Sequence, residues 1–112
     1  MKELWRSDNY VNVKIAIASE VDSINSQVST EGGRAPYYLL FEDGKLVQSI
    51  KNPFRSGGGG AGPAMASMIA DEGVKYVLSQ HFGEKMIRAL EEKNIQWKIV
   101  ESITVEEALK DL

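Results

Sequence analysis

The sequence predicts an α/β fold: a mixed five-stranded sheet in the order 3-2-1-4-5 with three helices. Three observations predict it. Asp43-Gly44 separates two strand-like runs, 37–42 (YYLLFE) and 45–51, and is a two-residue hairpin signal that makes them antiparallel neighbours. After the glycine run at 57–62, helix and strand patterns alternate, and such crossover units are right-handed and add parallel strands. Finally, 13–18 (VKIAIA) and 74–79 (VKYVLS) are the runs richest in apolar residues on both faces, so they belong side by side in the centre.

Residues 1–12 are polar with two isolated aromatics, Trp5 and Tyr10, and read as an N-terminal extension: a loose arm or an added edge strand. A single domain, 13–112, follows. In the first strand, 13–18, isoleucine alternates with alanine, which leaves one face small. Residues 20–33 are polar, end in Gly32-Gly33 and read as a long loop. The hairpin strands 37–42 and 45–51 come next, and Asn52-Pro53 ends the third strand.

Ser56-Gly57-Gly58-Gly59-Gly60-Ala61-Gly62-Pro63 suits neither a helix interior nor a strand interior, because glycine loses most entropy there and packs nothing. A helix follows over 64–71, with Pro63 in its first turn, Met65, Met68 and Ile69 on its core side, and Gly73 as its stop. The fourth strand is 74–79. A helix over 84–93 turns Met86, Ile87 and Leu90 inward, with Asn94 as its cap, and 95–100 is a short fifth strand. Thr104-Val105-Glu106-Glu107 is a capping box opening the last helix, whose stripe is Val105, Ala108, Leu109 and Leu112.

In this topology three loops gather at one sheet edge: 20–34, 52–62 and 80–83. Ligands of open α/β sheets sit at such carboxyl ends of strands. The glycine run feeds a helix N-terminus, where free N–H groups and the dipole favour an anion; as a solvent-exposed spacer it would do none of this. His81, the only histidine, stands where the fourth strand gives way to a helix and suits a metal, an anion or a plain capping role. Arg34 and Arg55 suit carboxylate or phosphate groups, or solvated surface charge. Glu31 offers a ligand oxygen or faces solvent. The candidate cofactor-binding set is therefore Arg34, Arg55, Gly57, Gly58, Gly59, Gly60, Gly62 and His81, with His81 and Glu31 as candidate metal ligands.

Composition limits the alternatives. The chain has 112 residues, 43% hydrophobic and 26% charged, which is ordinary for a soluble domain. A net charge of −3 with no basic stretch argues against nucleic acid as a partner. No apolar run reaches membrane-span length, and no signal peptide opens the sequence. Without cysteine there is neither a disulfide nor a thiolate metal site, and a cytoplasmic location is expected. Enzyme templates fit poorly. Gly57, Gly59 and Gly62 match GxGxxG, yet five residues separate the run from the preceding strand, and the next strand ends in Ser79-Gln80 without an acidic ribose partner. The Lys-Ser/Thr of a phosphate-binding P-loop is missing as well.

Taken in order, 13–18, Gly33-Arg34-Ala35-Pro36-Tyr37-Tyr38, Asn52-Pro53, the glycine run, Ala70-Asp71-Glu72-Gly73-Val74, 90–95 and Thr104-Val105-Glu106-Glu107-Ala108 resemble the dinitrogenase iron-molybdenum cofactor biosynthesis family. The resemblance spans about 13–112. It implies a ribonuclease H-like three-layer fold and a non-catalytic role, that of holding an anionic iron–molybdenum cofactor or iron–sulfur precursor, with a protein partner in its delivery. Many members read His-Phe-Gly-Arg-Ala-Pro where this chain has Glu31-Gly32-Gly33-Arg34-Ala35-Pro36, so Glu31 stands in the usual histidine's place, and His81-Phe82-Gly83 lies at a different turn. The other reading is a metal-free interaction module that docks on a protein through the same loop edge.

Overall fold

Five strands and three helices follow in the order β1 (Lys14–Ser19), β2 (Tyr37–Glu42), β3 (Lys45–Lys51), α1 (Ala61–Asp71), β4 (Val74–Ser79), α2 (Glu84–Glu92), β5 (Gln96–Ile99) and α3 (Val105–Lys110). The computed structural model describes residues 12–55 and 60–112. The expected extension therefore lies outside the described residues except for Asn12, and so do Gly57, Gly58 and Gly59.

The sheet order is β3-β2-β1-β4-β5, as the sequence predicts. β1 and β2 pair antiparallel, as do β2 and β3, whereas β1–β4 and β4–β5 are parallel. Asp43 and Gly44 both take positive φ (53° and 80°), as the tight hairpin between β2 and β3 requires. The carboxyl ends of β1, β3, β4 and β5 consequently share one edge of the sheet.

Alternation along β1 divides the core in two. Ala16 and Ala18 face α1 and α2 and pack with Met65, Ile69, Met86 and Leu90. Ile15 and Ile17 face α3 and pack with Val105, Ala108 and Leu109. The small alanines let two helices lie close on their side, and the larger isoleucines fill the side that one short helix covers. The result is three layers: α1 and α2, the sheet, and α3.

Three elements differ from the sequence reading in ways that bear on the site. First, α1 begins at Ala61, three residues early, so Gly62 is its second residue and Pro63 its third. Proline is tolerated there because the first four N–H groups of any helix have no partner within it. Second, residues 20–33 are a loop, as read, but one carrying bridges that the sequence does not announce. Val28 bridges to Ser19 and Gln27 to Thr104, and the Val28 N–H donates to the Ile103 carbonyl at 2.9 Å. Third, β5 is trimmed to four residues, Gln96–Ile99.

The capping box at α3 is complete: Thr104 accepts from the Glu107 N–H, and Glu107 accepts in return from the Thr104 N–H. Two further first-turn donors are used, Val105 N–H to the Ser26 carbonyl at 2.8 Å and Glu106 N–H to the Ile24 carbonyl at 3.0 Å. Thr104→Ala should therefore lower unfolding stability by about 1 kcal/mol, the usual worth of a cap. Urea denaturation checks this, and an unchanged midpoint would show that the loop contacts alone hold the helix start.

Candidate functional site

A cleft of about 420 Å³ opens at the carboxyl edge of the sheet. Glu31, Gly33 and Arg34 form one wall, Ala61 and Gly62 a second, and His81, Glu84 and Lys85 a third. The loop after β1 and the turn after β4 thus meet the start of α1, although they are far apart in sequence.

Buried polar groups fix this meeting. The Gly32 N–H donates to the His81 carbonyl at 2.8 Å, and the Gln80 N–H to the Ser29 carbonyl at 3.0 Å. The Gln80 side chain donates to the Val28 carbonyl at 2.8 Å. Ser79, fully buried, holds its hydroxyl 3.2 Å from the Ser29 carbonyl and 3.1 Å from that of His81. From beneath, the hydroxyl of the fully buried Tyr38 donates to the Gly32 carbonyl at 2.6 Å. Burial raises the Tyr38 pKa far above the usual phenol value, so it remains a donor. Asn52, also buried, clamps the end of β3 to this loop: its amide donates to the Gly33 and Ala35 carbonyls at 3.0 and 2.9 Å. Its side-chain oxygen accepts from the Phe54 N–H at 2.7 Å.

Close glycine contacts then bring the backbones together. A methyl group on Gly33 would sit 2.8 Å from Gly62 Cα, and one on Gly62 would sit 2.8 Å from Met86 Cβ. The loop, α1 and α2 stack without side chains between them. Gly62 is therefore a residue of helix packing that also lines the cleft, and not part of a glycine loop.

The remaining sequence candidates fall as follows. Glu31, Arg34 and His81 are exposed and all line the cleft. Gly60 is exposed at the N-cap of α1, and space lies open where a side chain would be. Arg55 contributes its backbone, whose carbonyl accepts from Arg34 Nη1 at 2.9 Å, and its side chain is not among the lining groups. Sequence reasoning overlooked Tyr38, Asn52, Ser79 and Lys85. Asn52 carried a usable signal, since asparagine at a strand end often bonds the backbone two residues on. Tyr38 carried one too, as an aromatic hydroxyl on an inward-facing position of β2.

Charges on the lining side chains offset one another, with Arg34 and Lys85 against Glu31 and Glu84. What remains is the backbone. α1 starts from Gly60 and α2 from Gly83, and neither N-cap supplies a side-chain oxygen. Two helix N-termini therefore face one cleft with first-turn donors and the positive ends of their dipoles. At the far end of α1, Lys14 Nζ donates to the Glu72 carbonyl at 2.9 Å and offsets the negative pole. Among the described residues no group of three or more His, Cys, Asp or Glu is arranged to hold a metal ion.

The architecture is that of a small α/β domain with a cleft at the carboxyl edge of its sheet. The model of the dinitrogenase iron-molybdenum cofactor family matches residues 13–112, and the chain belongs to that family. Its fold is similar to the apo form of the orange protein from Desulfovibrio gigas (TM-score 0.82, 23% identity, covering 89% of this chain and 85% of that one). It is also similar to a NifB-like protein of the DUF35 family from Thermotoga (TM-score 0.76, 24% identity, 87% and 84% covered). No curated protein matches the chain in sequence.

Two substitutions test the site's construction. Glycine-to-alanine changes inside helices ordinarily stabilise by about 0.5–1 kcal/mol. Gly62→Ala should do the opposite and destabilise by about 1–3 kcal/mol, because its methyl meets Met86. Thermal unfolding gives the sign. Tyr38 makes a pH prediction. Its folded pKa is raised, so its contribution is complete below the unfolded value near 10 and is lost as pH rises above it. Stability of the wild type should fall steeply above about pH 10, and Tyr38→Phe should flatten that slope while lowering stability at neutral pH by about 1–3 kcal/mol. Urea midpoints across pH 8–11 report both.

Proposed function

We propose that the protein is a small, non-catalytic binding or carrier domain of the cytoplasm, and that its cargo is an anionic metal cluster of the iron–molybdenum cofactor or iron–sulfur precursor type. Its three-layer arrangement is read as ribonuclease H-like. The observation that carries the proposal is the pair of glycine-started helices, α1 and α2, opening into one cleft beside Arg34. Such clusters carry negative charge, and uncapped helix N-termini with a guanidinium favour anions. Family membership supports the same cargo class.

The donor set defines how the cargo is held. The chain has no cysteine, so no thiolate bonds to iron are available from it. His81 and Glu31 offer at most one imidazole and one carboxylate. These residues fit a cluster gripped mainly by hydrogen bonds and ion pairs to its anionic periphery, a mode that permits release to a protein partner.

Anaerobic titration with isolated iron–molybdenum cofactor and with an iron–sulfur precursor, followed by visible absorbance, tests the reading. Wild type should bind one of them. Arg34→Ala and His81→Ala should each weaken binding about 10-fold or more, since charge-assisted hydrogen bonds contribute about 1.5–3 kcal/mol. Both residues are exposed, so unfolding midpoints should move little. Absence of binding where a known carrier binds, or unchanged affinity in both variants, would overturn the proposal.

A further inference from the structure

β3 ends the sheet on one side, and among the described residues no strand pairs with its outer edge. The phase of the ladder shows which backbone groups that leaves open. The Asn52 N–H donates to the Pro36 carbonyl at 3.0 Å, so 36 and 52 are a bonded pair of the β2–β3 ladder. Bonded pairs alternate along an antiparallel ladder, which makes Tyr38–Ile50 and Leu40–Gln48 bonded pairs as well. Ser49 and Lys51 therefore turn their N–H and C=O groups away from β2, toward the edge.

The side chains add chemistry to that edge. Of the four large apolar side chains that stand about half-exposed among the described residues, Leu46 and Val47 lie on β3. A third, Val21, precedes Asp22, whose Oδ1 accepts from the Ser49 hydroxyl at 2.7 Å. A hollow of about 240 Å³ opens beside Leu46 on the α3 face, with the nearly buried Phe41 and Leu109 in its lining. Lys45 and Lys51 bracket the strand; both are exposed, and among the described residues neither is in an ion pair.

We infer that this edge binds an extended segment of a partner protein, apolar in its middle and acidic toward both ends, as an added strand. Main-chain bonds to Ser49 and Lys51 supply the pairing, the hollow takes an apolar side chain, and the lysines select the carboxylates. The bulge at Val47, which has no partner on β2, limits the regular outer ladder to that half of β3 and leaves Lys45 to act through its charge. A second copy is a poorer occupant. Antiparallel self-pairing of β3 about its centre sets Lys45 against Lys51, and like charges opposed across strands repel. Lys51 leads to Asn52, whose amide donates to the Gly33 carbonyl in the cleft wall, so the added strand ends beside the cleft.

NMR titration of the full-length protein with the acetylated and amidated heptapeptide Glu-Val-Thr-Val-Thr-Val-Glu tests the inference. Lys-Val-Thr-Val-Thr-Val-Lys and a backbone N-methylated form of the acidic peptide serve as controls. The acidic peptide should shift the Ser49 and Lys51 amides and slow their hydrogen exchange. It should bind about 10-fold or more tightly than the basic one, and the N-methylated form should not bind. Lys45→Glu combined with Lys51→Glu should reverse the charge preference, with little change in the unfolding midpoint because both lysines are exposed. No binding, equal affinity for the two charged peptides, binding that survives N-methylation, or shifts centred away from β3 would overturn the inference. So would protection of Ser49 and Lys51 that rises with protein concentration in the absence of peptide, the mark of a second copy. No metal cluster enters the measurement, so its failure leaves the cargo proposal untouched.

Discussion

Everything at the cleft depends on one contact: Gly33 against the backbone of Gly62, which in turn lies against Met86. Three chain segments approach to backbone distance because no Cβ separates them. Dispersion falls off quickly with any radial gap, so the contact favours close approach of loop and helices. Hydrogen bonds then hold the relative rotation, through Tyr38 beneath Gly32, Asn52 beside Gly33 and Ser79 beneath His81. The cleft wall is therefore set by buried groups, while the groups available to a ligand are exposed above it.

Electrostatics distinguishes the two faces. At α3 the N-terminal donors are taken up by Thr104, Ser26 and Ile24, and two glutamates follow in the first turn. At α1 and α2 the N-caps are glycines without an acceptor side chain. Glycine is itself a favourable N-cap and gives up only about a few tenths of a kcal/mol against a capping side chain. Two glycine-started helices thus meet at one cleft, while the chain builds a full capping box elsewhere. The lining side chains contribute no net positive charge, so the positive features of the cleft are Arg34, Lys85 and the two helix N-termini.

Much of the fold was legible because local signals agreed with the global arrangement. The Asp43-Gly44 turn, the Ile/Ala alternation of β1 and the Thr104 box each fix one element, and right-handed crossovers leave little choice of sheet order. The gathering of Glu31, Arg34, Gly62 and His81 followed from that order. The support beneath them did not, because a tyrosine or asparagine bonding a distant carbonyl leaves no periodic trace. The start of α1 was misjudged for a related reason: glycine propensity spoke against a helix at Gly62, and tertiary packing on Met86 overrode it.

Whether uncapped helix ends make this cleft a cargo site is tested most directly by NMR, following backbone amide resonances during anaerobic addition of an anionic iron–sulfur or iron–molybdenum cluster. Perturbation should begin at Ala61, Gly62, Glu84 and Lys85 and leave the capped amides of Val105 and Glu106 unmoved. Equal response at both faces, or a response centred away from α1 and α2, would contradict it.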